Sequence, residues 1–190
     1  MKKKLDNTAL WNESAKAGAL LGCVSVGCLV LKELANHSGV AFLQTAAYIV
    51  LWSVEFFVCI LVMKDVMLSL RSHYDNVKMA DTFRLGRRAA LFSGLLLASA
   101  QALFIMRMPE ADYTALLDSM SAMIPAGASG KEELESMMDR LPVITFISQW
   151  LYCYLYGTVL ASLMSRYIFL QKLFGGEFPF RNDNNTPDEQ

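Results

Sequence analysis

Glu55 is the residue whose chemistry most needs an explanation. It is the only charged residue in an apolar run from Val40 to Met63. A charge near the centre of a bilayer costs at least about 2.5–3.5 kcal/mol on insertion scales, so such an acid must be protonated, paired or wetted. Two roles are open to it. It could handle a proton or cation in a small transporter or channel. It could instead be a neutral acid hydrogen-bonded inside a helix bundle, or one awaiting a base from a partner. Gln44 lies about three helical turns earlier on nearly the same stripe. Matching depths across an antiparallel bundle brings Ser25, Ser93, Tyr156 and Thr158 near Glu55, and sets Gln44, Gln101 and Gln149 in a layer nearer the outer surface. With depths matched in this way no Lys or Arg of the other apolar runs reaches the level of Glu55, so no ion pair within the chain is expected.

The remaining reactive side chains read as packing. Cys23, Cys28, Cys59 and Cys153 all sit in apolar runs without a CxxC pair or a neighbouring His. They read as small buried residues rather than zinc ligands or disulfides. His37 and His73 fall in links on opposite faces and cannot share a metal. Met120, Met123, Met137 and Met138 could attract soft Cu(I), but they occupy the positions of an amphipathic stripe. No HExxH, GxSxG, P-loop or paired-carboxylate array is present. No catalytic residue, metal or cofactor is therefore expected, and the protein reads as a non-enzyme.

The elements that must carry Glu55 are legible in the apolar patterning. The 190 residues are 54% hydrophobic and 18% charged, against about 45–50% and 25% in ordinary soluble domains. The excess argues against disorder. A net charge of -1 supplies no basic field for nucleic acid. A membrane-spanning helix needs about 20 mostly apolar residues, and four stretches meet or approach this. We expect one all-α domain over 1–190, an integral membrane four-helix bundle with spans at about 15–35, 40–67, 88–108 and 143–168. The first run reads as a span rather than a cleaved leader, because a long polar stretch precedes it and no cleavage pattern follows.

Of the 17 Lys and Arg, only Lys32, Arg107, Lys131 and Arg140 fall on the side opposite the N-terminus. The positive-inside rule then puts both termini in the cytoplasm. Arg84, Arg87 and Arg88 border the third span and are expected at anionic headgroups. Residues 109–142 form an acidic outer segment, read as an extramembrane amphipathic helical hairpin between spans three and four. Its first arm carries Tyr113, Leu116, Leu117, Met120, Met123 and Ile124. Its second arm opens at Ser129 with Glu132 in a capping box, and carries Leu134, Met137, Met138 and Leu141. Residues 181–190 read as a disordered cytoplasmic tail.

Helices in lipid associate through close backbone approach and polar contacts. Small-residue ridges at four-residue spacing mark where this can happen. They are Ser14, Gly18, Gly22 and Ala15, Ala19, Cys23, Gly27 in the first span, Gly94, Ala98, Ala102 in the third, and Cys153, Gly157, Ala161 in the fourth.

The whole pattern resembles the bacterial membrane family called domain of unknown function 4199. The resemblance is carried by Thr82-Phe-Arg-Leu-Gly86 leading into AALFSGLLLASA, and by the Met-rich acidic insertion before the last span. It implies a bacterial inner-membrane location and transfers no ligand or catalytic residue. The function expected first is an accessory or scaffolding subunit, with the lipid bilayer and another membrane protein or itself as partners and no nucleic acid. The alternative is a small transporter or channel using Glu55.

Overall fold

The computed structural model describes residues 3–36, 41–121 and 139–173. Among the described residues five helices are bounded, in order α1 (Asn7–Asn36), α2 (Ala41–His73), α3 (Met79–Met106), α4 (Glu110–Ser121) and α5 (Leu141–Leu173). Two two-residue strands, β1 (Lys3–Lys4) and β2 (Tyr74–Asp75), pair in parallel. The helices α1, α2, α3 and α5 are long and apolar enough to cross a membrane. Large apolar side chains such as Phe42 (83% exposed) and Leu34 (65%) face outward. Soluble monomers rarely expose broad apolar surface, so this exterior is consistent with a multi-pass membrane protein.

The long helices overrun the apolar runs, and most do so at one end of the bundle. The helix α1 starts near residue 7 rather than 15, where the Ala9 amide donates to Asp6 Oδ1 at 2.6 Å. Its extra turns are amphipathic, with Leu10 and Ser14 buried. The helix α3 likewise begins well before residue 88, with the Lys78 amide donating to Asp81 Oδ2 at 3.1 Å and with Thr82 and Leu85 buried. Apolar-run length marks hydrocarbon thickness, whereas these turns are held by a one-sided apolar stripe and an end cap. Leu141, expected in the second arm of the outer hairpin, is the first residue of α5. The helix α4 covers most of the segment read as the first arm of the hairpin; Met123, Ile124, residues 125–138 and the tail 181–190 lie outside the described residues, as does His37.

The bundle closes on small residues. As α3 rises and α5 falls, Gly86 meets Ala161, Ala90 meets Gly157 and Gly94 meets Cys153, each step four residues along. A Cβ at Gly86 would lie 2.5 Å from Ala161 Cβ, and one at Gly94 would lie 3.0 Å from Cys153 Cβ. The helices α1 and α3 meet in the same way, since a Cβ at Gly18 would lie 2.5 Å from Phe92 Cβ and 2.8 Å from the Ala89 carbonyl oxygen. Gly22 faces Leu96. Gly27 takes no part in these contacts within the chain: nothing lies within 4 Å of a Cβ there, and Cys23 on the same ridge is exposed. Neighbouring residues stand about 100° apart around a helix, so when the Ser14–Gly18–Gly22 ridge faces α3 its neighbour turns outward.

The basic ends gather together. The strand pair ties the N-terminal arm to the α2–α3 link, where Asn76 takes a positive φ of 55°. Asn tolerates this conformation better than most side chains. Arg71 Nη1 donates to the Ile168 carbonyl at 3.2 Å, and its guanidinium lies 4.6 Å from the Phe169 ring centroid. Arg88, read from the sequence as a headgroup contact, packs against α1. Its guanidinium lies 4.1 Å from the Trp11 ring centroid, and Nη2 donates to Asn7 Oδ1 at 3.2 Å. Arg88 therefore clamps α1 to α3. Arg84 and Arg87 remain outward, Arg84 3.7 Å from Asp81 Oδ1.

A candidate binding site around a buried charge pair

The bundle holds a partly open cavity of about 440 Å³ lined by all four long helices. Within it Lys32 Nζ lies 3.0 Å from Glu55 Oε2, with the two side chains 18% and 20% exposed. The expected absence of an ion pair within the chain is thus overturned. Helical side chains lean toward the N-terminus of their own helix. Lys32 is near the C-terminal end of α1 and so leans inward, away from the bundle mouth. Glu55 lies on antiparallel α2 and leans toward that mouth. Depths counted at the Cα atoms ignore both displacements. The ammonium is also 5.4 Å from the Tyr48 ring centroid, a distance at which an aromatic face attracts a cation.

Five of the seven polar residues expected around Glu55 line this cavity with it: Ser25, Ser93, Gln101, Gln149 and Tyr156. Two of the seven do not. Gln44 is in the first turn of α2, about 16 Å along the helix from Glu55, and its Nε2 donates to the Asn36 carbonyl at 2.7 Å. It caps the end of α1. Thr158 spends its hydroxyl on the Tyr154 carbonyl at 2.7 Å and does not line the cavity.

The polar groups differ in how well they are satisfied. Ser93 Oγ donates to the Ala90 carbonyl at 3.2 Å, and Gln149 Nε2 to Cys153 Sγ at 3.4 Å. Gln101 Oε1 is buried with no hydrogen-bond partner. An unsatisfied buried acceptor costs roughly 1–3 kcal/mol, so a donor brought to this oxygen would be stabilising.

On the side between α2 and α5 the cavity is fringed by rings. Trp52 and Phe56 stack at 5.8 Å, Tyr152 and Tyr156 at 6.3 Å, and Phe56 approaches Tyr156 at 6.3 Å. Trp52 is 54% and Tyr152 63% exposed, so the fringe faces the surroundings. Cys59 and Cys153 line the same space as free thiols. Among the described residues no group of three or more His, Cys, Asp or Glu is placed to hold a metal ion.

No family model, curated protein or solved structure matches this chain. The resemblance to domain of unknown function 4199 rests on the sequence features alone, and the functional reading rests on the cavity.

Sequence reasoning missed Lys32 and, of the aromatic fringe, every ring but Tyr156. The signal for Lys32 was available, since it ends the first apolar run and side-chain lean on antiparallel helices would have turned it toward Glu55. Trp52, Phe56 and Tyr152 read as ordinary apolar content, and only tertiary packing separates rings at a cavity from those facing outward.

Proposed function

We propose that this is a multi-pass membrane protein that takes a small polar or charged group into its four-helix cavity, as a non-enzymatic binding or transport component of a bacterial inner membrane with both termini cytoplasmic. One observation carries the reading: Lys32 and Glu55 meet as an ion pair inside a cavity of about 440 Å³ lined by α1, α2, α3 and α5. That volume falls within the roughly 300–1,000 Å³ of ligand pockets. Glu55 facing inward, toward Ser and Gln side chains, favours this reading over a carboxylate that waits in lipid for a partner helix. The pairing changes the mechanism available to it. Glu55 is a carboxylate already held by a base, and a guest enters by exchanging partners with the pair.

Thiol access tests the proposal. With Cys23 and Cys28 replaced by Ser, intact vesicles are exposed to a charged, membrane-impermeant methanethiosulfonate. Modification of Cys59 or Cys153 is expected. If both stay unmodified in folded protein, yet react once it is unfolded in SDS, the cavity has no aqueous access and the reading is lost.

The scaffolding function has one supporting feature. Ala19, Cys23 and Gly27 form an outward ridge on α1, and a Cβ at Gly27 would meet nothing within 4 Å. Small-residue ridges of this spacing allow close helix approach, and a second copy or another membrane protein would fit there. Crosslinking through Cys23 in the membrane tests that association.

A further inference from the structure

The cavity's charge balance narrows what it can take. It holds one ammonium and one carboxylate, paired at 3.0 Å and mostly shielded. A guest with a single charge can pair with only one of them: an anion on Lys32 strands Glu55, which a low-dielectric site penalises heavily, and a cation on Glu55 displaces the Lys32 ammonium toward the mouth and leaves it unpaired. A guest carrying both signs exchanges one ion pair for two. Its anion meets Lys32, its cation meets Glu55, and no charge is left alone.

The unpartnered acceptor adds a second constraint. Gln101 Oε1 needs a donor. A primary ammonium has three N–H donors and can serve Glu55 and Gln101 together. A quaternary ammonium has none. The aromatic fringe adds a third. Trp52, Phe56, Tyr152 and Tyr156 line the side between α2 and α5, and two of these rings are more than half exposed. Apolar chains attached to the guest can leave by this side.

We propose that the cavity binds a zwitterionic head group with a primary ammonium and an anionic oxygen group, held by Lys32, Glu55 and Gln101. This rests on the cavity being a binding site, as proposed above. The same chemistry is offered by an ethanolamine-type phospholipid, whose chains would pass between α2 and α5, and by the free water-soluble head group.

The test uses the full chain in detergent micelles. Thermal unfolding is followed after adding short-chain phosphatidylethanolamine, phosphatidylcholine, phosphatidylglycerol or O-phosphoethanolamine at matched concentration. Phosphatidylethanolamine is expected to raise the Tm at least twice as far as phosphatidylcholine or phosphatidylglycerol, with the preference lost in Lys32→Met/Glu55→Gln. A preference kept by that variant overturns the proposal, as does a phosphatidylcholine or phosphatidylglycerol shift equal to that of phosphatidylethanolamine. A matching shift from O-phosphoethanolamine supports the head-group chemistry and assigns it to a soluble guest; a shift requiring chains assigns it to lipid. Should the double variant not fold, the rate of N-ethylmaleimide labelling of Cys59 and Cys153 in otherwise native protein replaces it. Phosphatidylethanolamine is expected to slow that rate several-fold, and phosphatidylcholine is not. Thiols that react with the charged methanethiosulfonate but gain no such protection defeat this inference alone. Thiols that never react defeat the parent reading.

Discussion

The Lys32–Glu55 pair makes an asymmetric prediction that a purely structural contact would not. Breaking a buried ion pair by removing one partner costs about 3–5 kcal/mol, and an exposed pair is worth about 0–1 kcal/mol. With side chains 18% and 20% exposed, this pair lies nearer the buried limit. The partner left behind decides the cost. Lys32 sits near the end of α1, about 6 Å along the axis from Asn36, and its long stem can carry a freed ammonium to the bundle mouth. Glu55 lies about 21 Å from the start of α2, and its short side chain cannot escape. Lys32→Met is therefore expected to cost about 2–3 kcal/mol, interpolated between those limits. Glu55→Gln should cost less than about 1 kcal/mol, because the freed lysine relaxes outward. The double variant leaves no stranded charge and should lie within about 1 kcal/mol of the parent, which gives a coupling near 2 kcal/mol. Unfolding by SDS in mixed micelles, followed by far-ultraviolet circular dichroism, measures all four proteins. Additivity to within about 0.5 kcal/mol, or a Glu55→Gln loss larger than that of Lys32→Met, refutes the stranded-charge account.

Other expectations come from packing. Gly86→Ala brings a Cβ 2.5 Å from Ala161 Cβ and 2.7 Å from Met67 Cε. Overpacking of this kind costs about 1–3 kcal/mol, which should exceed the roughly 1 kcal/mol gain in helix propensity and appear as earlier SDS unfolding. Gly27→Ala meets nothing within 4 Å, so the propensity gain of up to about 1 kcal/mol should remain, read in the same titration. Arg88→Met loses the Trp11 face and the Asn7 bond; a loss of about 1–2 kcal/mol is expected from one cation–π contact and one hydrogen bond, with release of the α1 N-terminal turns visible as faster amide exchange.

The architecture was legible because it depends on apolar run length, and run length survives in a bare sequence. Four runs became four long helices, and the Gly18, Gly22, Gly94 and Gly157 positions became close helix contacts. Helix ends were less legible. The turns at 7–14 and 79–87 are held by one-sided burial and by Asp6 and Asp81, in stretches too polar to score as apolar. The site was read in part. Glu55 stood out by its cost, and depth matching gathered Ser93, Gln101, Gln149 and Tyr156. Depth matching failed for Lys32 because Cα height takes no account of side-chain lean. It failed for Gln44 because a residue in the first helical turn is drawn to the open carbonyls of the preceding helix. Gly86 was visible in the sequence but was not read as a packing position, since it precedes the apolar run.

The cavity itself has a cause in composition. Of the four long helices α2 alone contains no glycine. Helices α1, α3 and α5 draw close through Gly18, Gly22, Gly86, Gly94 and Gly157, whereas α2 presents Trp52, Phe56 and Met63 to the same interior. Bulky side chains hold α2 off, and the space they leave is the cavity. The void is then a cost the bundle carries, because lining atoms without neighbours forfeit dispersion contacts. Ser93→Leu tests this directly. Ser93 lines the void and its hydroxyl bonds only locally, to the Ala90 carbonyl, so a leucine should occupy empty space without stranding a partner. Resistance to SDS is expected to rise by up to about 1–2 kcal/mol, the scale of burying one or two added methylenes, while methanethiosulfonate labelling of Cys59 and Cys153 falls. A protein that gains stability as it loses access has a cavity that folding does not require. A Ser93→Leu protein that unfolds earlier shows instead that the space is needed for packing, and removes that support for a binding role.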